Sequence, residues 1–489
     1  MILFHLLIDS TQHPILPFGP NNPRSCSACV FNARSLSNKL NELHQLLYCN
    51  KYDVICVTET WLHDGITCGL LDPNSEYYIL RKDRVVSHGG GVAVFLARHL
   101  HFIEVTVDQS FTDLELLCFD LLMPTCKLRF FVIYRPPYRD LSATKYVDSL
   151  IRCFEQHCSN NYVNIVVGDF NCLNINWADH SAPNDYVNQS ILNWAVSYGF
   201  VQYVNFSTRG QNILDLVLTD DDQIISDIAD SPPIGLSDHC VVDFVLNVAC
   251  NADCNYYNCN SENTKKYKLY EADFLCMEQH LNSINWNDFI CHNSSAVLAW
   301  SAFIDLLWET VDEFVPYSVT RVQPGKQKSQ PRELRKLVSK KRSLWKKLKK
   351  NPSSLQIQWE YRDYVHKYHD ACFRFNKVAE MQIIESENLG AFYKHVNRRI
   401  KHRSVIPTII DSTGVIVTTD ENKANTLNEY FASVGVADNG SIPTLMQCEH
   451  RHLLETVVFD EYNVSRAVLK LKANLSAGRV AFLHYYLNA

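Results

Sequence analysis

The chain has 489 residues, 46% hydrophobic and 20% charged, with a formal net charge of −7 at pH 7. It is too long for one ordinary core and too apolar for a disordered chain, so two or three globular domains are expected. The charge is uneven: residues 1–320 carry 18 Lys and Arg against 37 Asp and Glu, residues 321–403 carry 22 against 7, and residues 404–489 carry 6 against 9. This pattern points to a local nucleic-acid contact rather than a generally cationic binder.

The 18 cysteines are scattered, many in apolar runs such as Val54-Ile55-Cys56-Val57, as buried thiols of a reducing, intracellular setting would be. Neither Cys26-x-x-Cys29 nor the trio Cys250, Cys254 and Cys259 has the remaining ligands of a zinc site. No apolar run reaches the roughly 18 residues of a membrane helix, and residues 1–18 lack a basic leader. Neither secretion nor membrane insertion is expected.

Residues 1–24 carry no usable pattern. Cys29-Val30-Phe31 then reads as a strand ending in Asn32-Ala33-Arg34-Ser35-Leu36, and Ser37 is placed to cap a helix with Leu40, Leu43, Leu46 and Leu47 at helical spacing. Residues 52–57 form a buried strand running into Thr58-Glu59-Thr60-Trp61. Strand, helix, strand, with polar groups emerging at both strand ends, indicates an α/β layered domain with a site at the sheet edge. Gly89-Gly90-Gly91 lacks the Lys-Ser/Thr of a phosphate-cradling loop and reads as a tight turn into the strand Val92-Ala93-Val94-Phe95. Residues 115–120 and 128–134 pair as strands, the second stopped by Pro136 and Pro137 with Tyr134 and Arg135 at its tip.

A helix near 146–157 precedes Asn164-Ile165-Val166-Val167-Gly168-Asp169-Phe170-Asn171. This is a buried β-branched strand, a glycine that permits a sharp turn, and two polar side chains on the same side of an extended backbone. A carboxylate and a carboxamide at the mouth of a sheet suit a phosphate and a hard metal ion; alone, the pair is also a turn signature. After a helical pattern at 190–200, Asp215 interrupts the apolar run 213–218 and needs a partner if buried. His239, in Gly235-Leu236-Ser237-Asp238-His239 ahead of the strand 240–246, is the candidate, since a carboxylate behind an imidazole fixes its tautomer and raises its basicity. Singly, Asn32 also reads as a cap, Glu59 as a surface charge, Tyr134 as a core aromatic and His239 as a surface histidine. Together, polar groups at the ends of several apolar strands suit metal-assisted phosphodiester cleavage.

The ordered set Asn32-Ala33-Arg34-Ser35-Leu36, Thr58-Glu59-Thr60-Trp61, Tyr134-Arg135-Pro136-Pro137, Gly168-Asp169-Phe170-Asn171, Leu214-Asp215-Leu216 and Ser237-Asp238-His239 resembles the endonuclease/exonuclease/phosphatase superfamily. Within it, the motifs are similar to those of the AP-endonuclease-like nuclease of non-LTR (LINE-type) retrotransposons, over residues 25–248. The resemblance implies a DNase I-like, four-layered α/β sandwich: two sheets face to face with helices outside. It implies Glu59 as the main ligand of Mg²⁺ or Mn²⁺, with Asn32 and Asp238 near the same cation. Asp169 would orient or deprotonate the attacking water, Asn171 would help it and hold a phosphate oxygen, and His239, supported by Asp215, would bind the scissile phosphate. Tyr134 would contact the phosphate or the leaving group. DNA is the implied substrate, a 5′-phosphate and a 3′-hydroxyl the implied ends, and the nucleus the place of action on chromosomal DNA.

Residues 249–330 read as a connector, with apolar helical spacing around 297–315. From Pro331, Leu334, Leu337, Val338, Trp345 and Leu348 mark one basic helix, and Tyr361, Tyr364, Val365, Tyr368, Cys372 and Phe375 mark a second able to pack on it. This helical region, 331–403, is either a solvated hairpin or a contact to an RNA or DNA backbone through Lys340, Lys341, Arg342, Lys346, Lys347, Lys349 and Lys350. Arg135 is a further candidate nucleic-acid contact. By resemblance the region is the connector ahead of a reverse transcriptase, with the element's RNA as a second partner. Residues 404–489 are similar to a truncated start of that enzyme, carried by 459–477. The Pro-Asp-Gly turn and the polymerase aspartate pair are absent, so no reverse transcription is expected, and Asp220-Asp221-Asp222 reads as a turn. Three functions follow: a DNA-nicking endonuclease, an inactive remnant that only binds nucleic acid, or a phosphatase of the same fold. The Asn-Ala-Arg-Ser and Tyr-Arg-Pro-Pro forms argue against the last.

Overall fold

The structure, a computed structural model, describes residues 24–84, 89–138, 141–250, 264–268, 271–291, 295–320, 330–400, 406, 408–417, 420–434, 460, 462–463 and 466. Residues 1–23, Cys254, Cys259 and nearly all of the polymerase-like stretch 459–477 lie outside the described residues. The chain divides into two compact units, Met1–Tyr257 with Pro324–Glu429, and Asn258–Gln323 with Tyr430–Ala489.

The first unit opens with β1 (Arg24–Asn32), α1 (Leu40–Tyr48), β2 (Val54–Thr58), α2 (Cys68–Leu71), β3 (Tyr77–Lys82), β4 (Val92–Ala97) and β5 (His101–Glu104). Next come β6 (Glu115–Leu122), β7 (Lys127–Tyr134), α3 (Leu141–His157), β8 (Val163–Asp169), α4 (Tyr186–Ser197), β9 (Val201–Gln202), β10 (Asp215–Thr219), β11 (Ile225–Ser231) and β12 (Val241–Cys250). The strands form two six-stranded sheets, ordered β11-β12-β1-β2-β4-β3 and β5-β6-β7-β8-β10-β9. Each has one parallel pair at its centre, β1 with β2 and β7 with β8, and each pair is joined by a helix, because parallel neighbours need a crossover.

Side-chain alternation builds the layers. Along β7, Phe130 and Val132 belong to the core shared by the two sheets, while Phe131 and Ile133 pack with α3 and α4 on the other face. Phe119 and Phe130 stack at 5.0 Å in the inner core, and Phe154 of α3 stacks on Trp194 of α4 at 4.4 Å in the outer one. The buried Leu43 and Leu47 of α1 pack against the first sheet from outside, within the same contiguous buried cluster. The result is the four-layered α/β sandwich implied by the motifs.

Two local details differ from expectation. Ser37 caps no helix; residues 37–39 form a 3-10 turn, and its hydroxyl is engaged with that of Ser35 at 2.7 Å. Gly168 makes no turn either, since it lies inside β8 opposite Ile133 with φ of 139°. An absent side chain there lets two strands approach closely.

The second unit contains β13 (Thr264–Tyr267), α5 (Phe274–Asn282), α6 (Trp286–Cys291), α7 (Ala296–Phe314) and β14 (Tyr317–Thr320). β13 pairs antiparallel with β14, and Met277, Val311 and Val315 form a small core. Back in the first unit, α8 (Arg332–Lys350) and α9 (Leu355–Glu385) form a hairpin, with Leu334, Tyr368, Ala371 and Cys372 in one cluster and Leu344, Tyr361 and Val365 in another. They are followed by α10 (Leu389–Ile400), β15 (Ile409–Ile410), β16 (Ile416–Val417) and α11 (Asp420–Val434), whose last turn belongs to the second unit. The hairpin docks on the sandwich through polar contacts: His369 with Glu42 at 2.9 Å, Asn376 with Asn41 at 2.9 Å, and the Lys341 ammonium donating to the Pro233 carbonyl at 2.6 Å. No described helix is long and apolar enough to cross a membrane.

Burial pushes the thiols of Cys29, Cys56, Cys118, Cys172 and Cys240 above their ordinary value. An unfolded thiol ionises at about 8.5, before the buried one, so each contribution to stability is present below that value and lost as pH rises. The loss is about 1.4 kcal/mol per pH unit per thiol. Lys341, lowered to about 8 by burial, acts in the opposite sense, as do Lys39 and Lys82, also lowered by burial, but they are three groups against five. The melting temperature in reducing buffer, followed by circular dichroism, is therefore expected to fall steeply above pH 9; a flat profile to pH 11 would contradict these burials.

Candidate active site

The parallel pairs determine where the site forms. The carboxyl ends of β1 and β2 emerge together, as do those of β7 and β8, and polar side chains gather beyond such ends. In the second sheet, Asp169 is paired with Tyr134 of β7 on one side and Asp215 of β10 on the other. In the first, Asn32 is paired with Thr58, one residue before Glu59.

Asn32 joins the two rows. Fully buried, it donates from one amide nitrogen to Glu59 Oε1 and to Asp169 Oδ2, each at 2.8 Å, and its Oδ1 accepts the Arg34 N–H at 2.9 Å. Two carboxylates from different sheets are thus held by one amide. The Trp61 indole N–H reaches Glu59 Oε2 at 3.3 Å. Glu59 itself has φ of 48°, and Arg34, Ser35, Trp61 and Asn171 around it are also left-handed. Such backbone is costly for non-glycine residues and persists where surrounding bonds over-determine it. Here the triple glycine supplies those bonds: the carbonyls of Gly91 and Gly90 accept the N–H groups of Thr60 at 3.2 Å and Trp61 at 2.9 Å.

Behind Asp169, His239 Nδ1 is 2.7 Å from Asp215 Oδ2, both side chains being buried. Asp169, Asp215 and His239 offer ligand atoms all within 4.8 Å of one another. Burial, reinforced by the charge of Asp215, pushes Asp169 up to about 7, against the pull of His239 and Asn32. Burial works against a charged His239, but Asp215 overrides it and raises the imidazole to about 9. The Tyr134 phenol is held protonated by burial and by the carboxylates of Glu59 and Asp169. The loop carrying His239 is tied to β1, since the Ser237 hydroxyl donates to the Asn32 carbonyl at 2.7 Å.

Other expected residues are placed differently. Asn171 is not on an extended continuation of β8: at φ 48° its backbone N–H turns back to Asp169 Oδ1 at 3.0 Å, and its side-chain amide donates to the Arg135 carbonyl at 2.9 Å. Arg135, expected to face nucleic acid, is buried and donates to the carbonyls of Phe170, of Asn171 at 2.6 Å and of Pro136 at 3.1 Å. A guanidinium with three carbonyls in reach is consumed in bracing that loop. Asp238 lies between Arg209 at 2.7 Å and Arg34 at 3.0 Å; burial opposes its charge, but Arg209, His239 and Arg34 hold its carboxyl below the usual range. Lys341 is buried on Pro233 and Lys349 pairs with Asp230 at 2.8 Å, whereas Lys340, Arg342, Lys346, Lys347 and Lys350 are exposed. Sequence reasoning passed over Trp61 and Arg34, which stand in the quoted motifs, and Arg209, which no motif marked.

Residues 128–243 match the profile of a family described as endonuclease-reverse transcriptase. This stretch of the sandwich is similar to that family. The match spans Tyr134, Asp169, Asn171, Asp215, Asp238 and His239; Asn32 and Glu59 lie ahead of it. No curated protein sequence matches the chain significantly. Among solved structures it is similar to the endonuclease domain of TRAS1, a telomere-specific non-LTR retrotransposon, with 13% identity and a TM-score of 0.38 over 46% of this chain and 100% of that one. An AP endonuclease from Archaeoglobus fulgidus has 14% identity and a TM-score of 0.37 over 46% of this chain and 100% of its own. The catalytic domain of APE2 from Xenopus laevis has 16% identity and a TM-score of 0.37 over 46% and 94%.

Proposed function

We propose that the sandwich is a divalent-metal-dependent endonuclease that nicks DNA, leaving a 5′-phosphate and a 3′-hydroxyl. The observation that carries this reading is the single Asn32 amide shared by Glu59 and Asp169, beside the buried Asp215–His239 pair. The donor set fits a hard cation. Glu59 is partly accessible, Asn32 stands next to it, and Asp215 Oδ1 is buried without a hydrogen-bond partner among the described residues. Glu59 would hold Mg²⁺ or Mn²⁺, with Asn32 beside it, and the bound cation would withdraw charge from a non-bridging phosphate oxygen.

The chain's own groups supply the rest. Asp169, whose carboxyl is unusually basic, takes the proton of the attacking water and is aimed by Asn32 and by the Asn171 N–H. His239, carrying its proton at neutral pH, donates to the scissile phosphate and stabilises the growing charge, with Asp215 fixing its ring. The protonated Tyr134 phenol is a second donor toward the phosphate or the departing oxygen. Asn171 offers its remaining amide hydrogen to a phosphate oxygen.

The test is relaxation of supercoiled plasmid by the full chain with Mg²⁺. Nicks resealed by DNA ligase without prior phosphorylation are expected, and Glu59→Ala or His239→Ala should each lower the rate by about 10²-fold or more. Plasmid left supercoiled by the wild-type chain, or cleaved equally by both variants, would refute the reading.

A further inference from the structure

The basic helix α8 is not evenly basic around its circumference, and its docking separates two groups among its cations. Lys341 and Lys349 turn toward the sandwich, one buried on the Pro233 carbonyl at 2.6 Å and the other paired with Asp230 at 2.8 Å. Ser339, Arg342, Ser343, Lys346, Lys347 and Lys350 recur at intervals of three and four, so they fall on one adjoining stripe, where they line a shallow open groove. All six are exposed, and no described carboxylate pairs with Lys346, Lys347 or Lys350. Arg342 borders the docked face, 3.4 Å from the Ser231 hydroxyl. Four cations and two hydroxyls in a row, three of the cations without a paired carboxylate among the described residues, complement a line of phosphates.

We propose that this stripe is a second contact surface for duplex DNA, gripping the backbone that flanks the phosphate held in the active site. The proposal rests on the nicking reading above. What favours the substrate duplex over a separate RNA is attachment. Pro233, which receives Lys341, belongs to the same loop as Ser237, Asp238 and His239, so stripe and site are tied to one segment. The six residues from Pro233 to His239 span at most about 21 Å. The stripe from Ser339 to Lys350 is about 17 Å long. Together they reach about a dozen base pairs of B-form duplex, at 3.4 Å each. A duplex of that length held at His239 can therefore span the separation to the stripe, whereas the phosphates of a short product cannot fill both.

The experiment measures binding of the full chain to a labelled duplex of about 30 base pairs, by fluorescence anisotropy in EDTA across a salt series. Cleavage is not needed, so failure of the nicking reading, which the plasmid assay reports, is distinguishable from failure of this one. Replacing all four cations, as Arg342→Gln/Lys346→Gln/Lys347→Gln/Lys350→Gln, is expected to weaken binding by at least 10-fold at about 0.15 M salt and to flatten the salt slope by about 2 to 4. The double change Lys346→Gln/Lys350→Gln should give about half that flattening, and it guards against a folding defect in the quadruple variant, both being checked by their thermal melts. An unchanged slope in both folded variants overturns the proposal. So does a stripe-dependent preference for single-stranded RNA of equal length, which would make the surface an RNA site.

Discussion

Gly168→Ala is expected to cost at least about 4 kcal/mol, enough to leave the sandwich largely unfolded at ordinary temperature. A Cβ at this position would lie 1.9 Å from the Ile133 carbonyl oxygen and 2.8 Å from its carbon, both in the backbone of the paired strand β7. A flexible side chain could swing aside; a hydrogen-bonded strand in the centre of a sheet can yield only by opening the ladder that places Tyr134 beside Asp169. The φ of 139° adds strain of its own for any L side chain. Gly199→Ala is the control, because φ there is also positive at 72° but nothing lies within 4 Å. Only the left-handed penalty of about 1–2 kcal/mol applies to it. Denaturant unfolding of the two variants should differ by several-fold in lost stability; equal losses would mean that β7 and β8 are not this close.

The second large effect is expected from Asn32→Asp. The substitution is nearly isosteric, yet it removes both donated hydrogen bonds and places a third carboxylate between Glu59 and Asp169. Hydrogen bonds to charged acceptors contribute about 1.5–3 kcal/mol each, so a destabilisation of about 3 kcal/mol or more is expected before repulsion is added. Both carboxylates would be displaced at once, and plasmid nicking should fall by about 10³-fold or more. Asn32→Ala loses the same donors without adding charge and should be less damaging to stability. If Asn32→Asp matched Asn32→Ala in both measurements, Asn32 would not be bridging the two carboxylates.

These two positions also divide what could be read in the chain from what could not. The strands ending at Asn32, Glu59 and Asp169, and the need of Asp215 for a partner, follow from local pattern. A buried run followed by polar residues looks the same in any α/β sheet, and a lone carboxylate in an apolar run must be satisfied. The Asp215–His239 pair was accordingly anticipated and found at 2.7 Å. Asn171 lies elsewhere than its spacing implies, because the extended backbone that such spacing assumes does not continue past Asp169. Arg135 and Lys341 read as surface cations in the sequence because a basic residue carries no mark of whether a carbonyl will stand above it.

By itself the sequence determined the α/β alternation, the chain positions of the polar strand ends and the concentration of positive charge between residues 321 and 403. Only the tertiary structure decided which of those ends meet. Asn32 and Asp169 are 137 residues apart, and their contact depends on how two sheets lie face to face, a relation to which periodicity within either strand is blind. The same holds for α8: the count of its lysines is local information, but which of them face outward as a stripe was set by the loop at Pro233 on which the helix comes to rest.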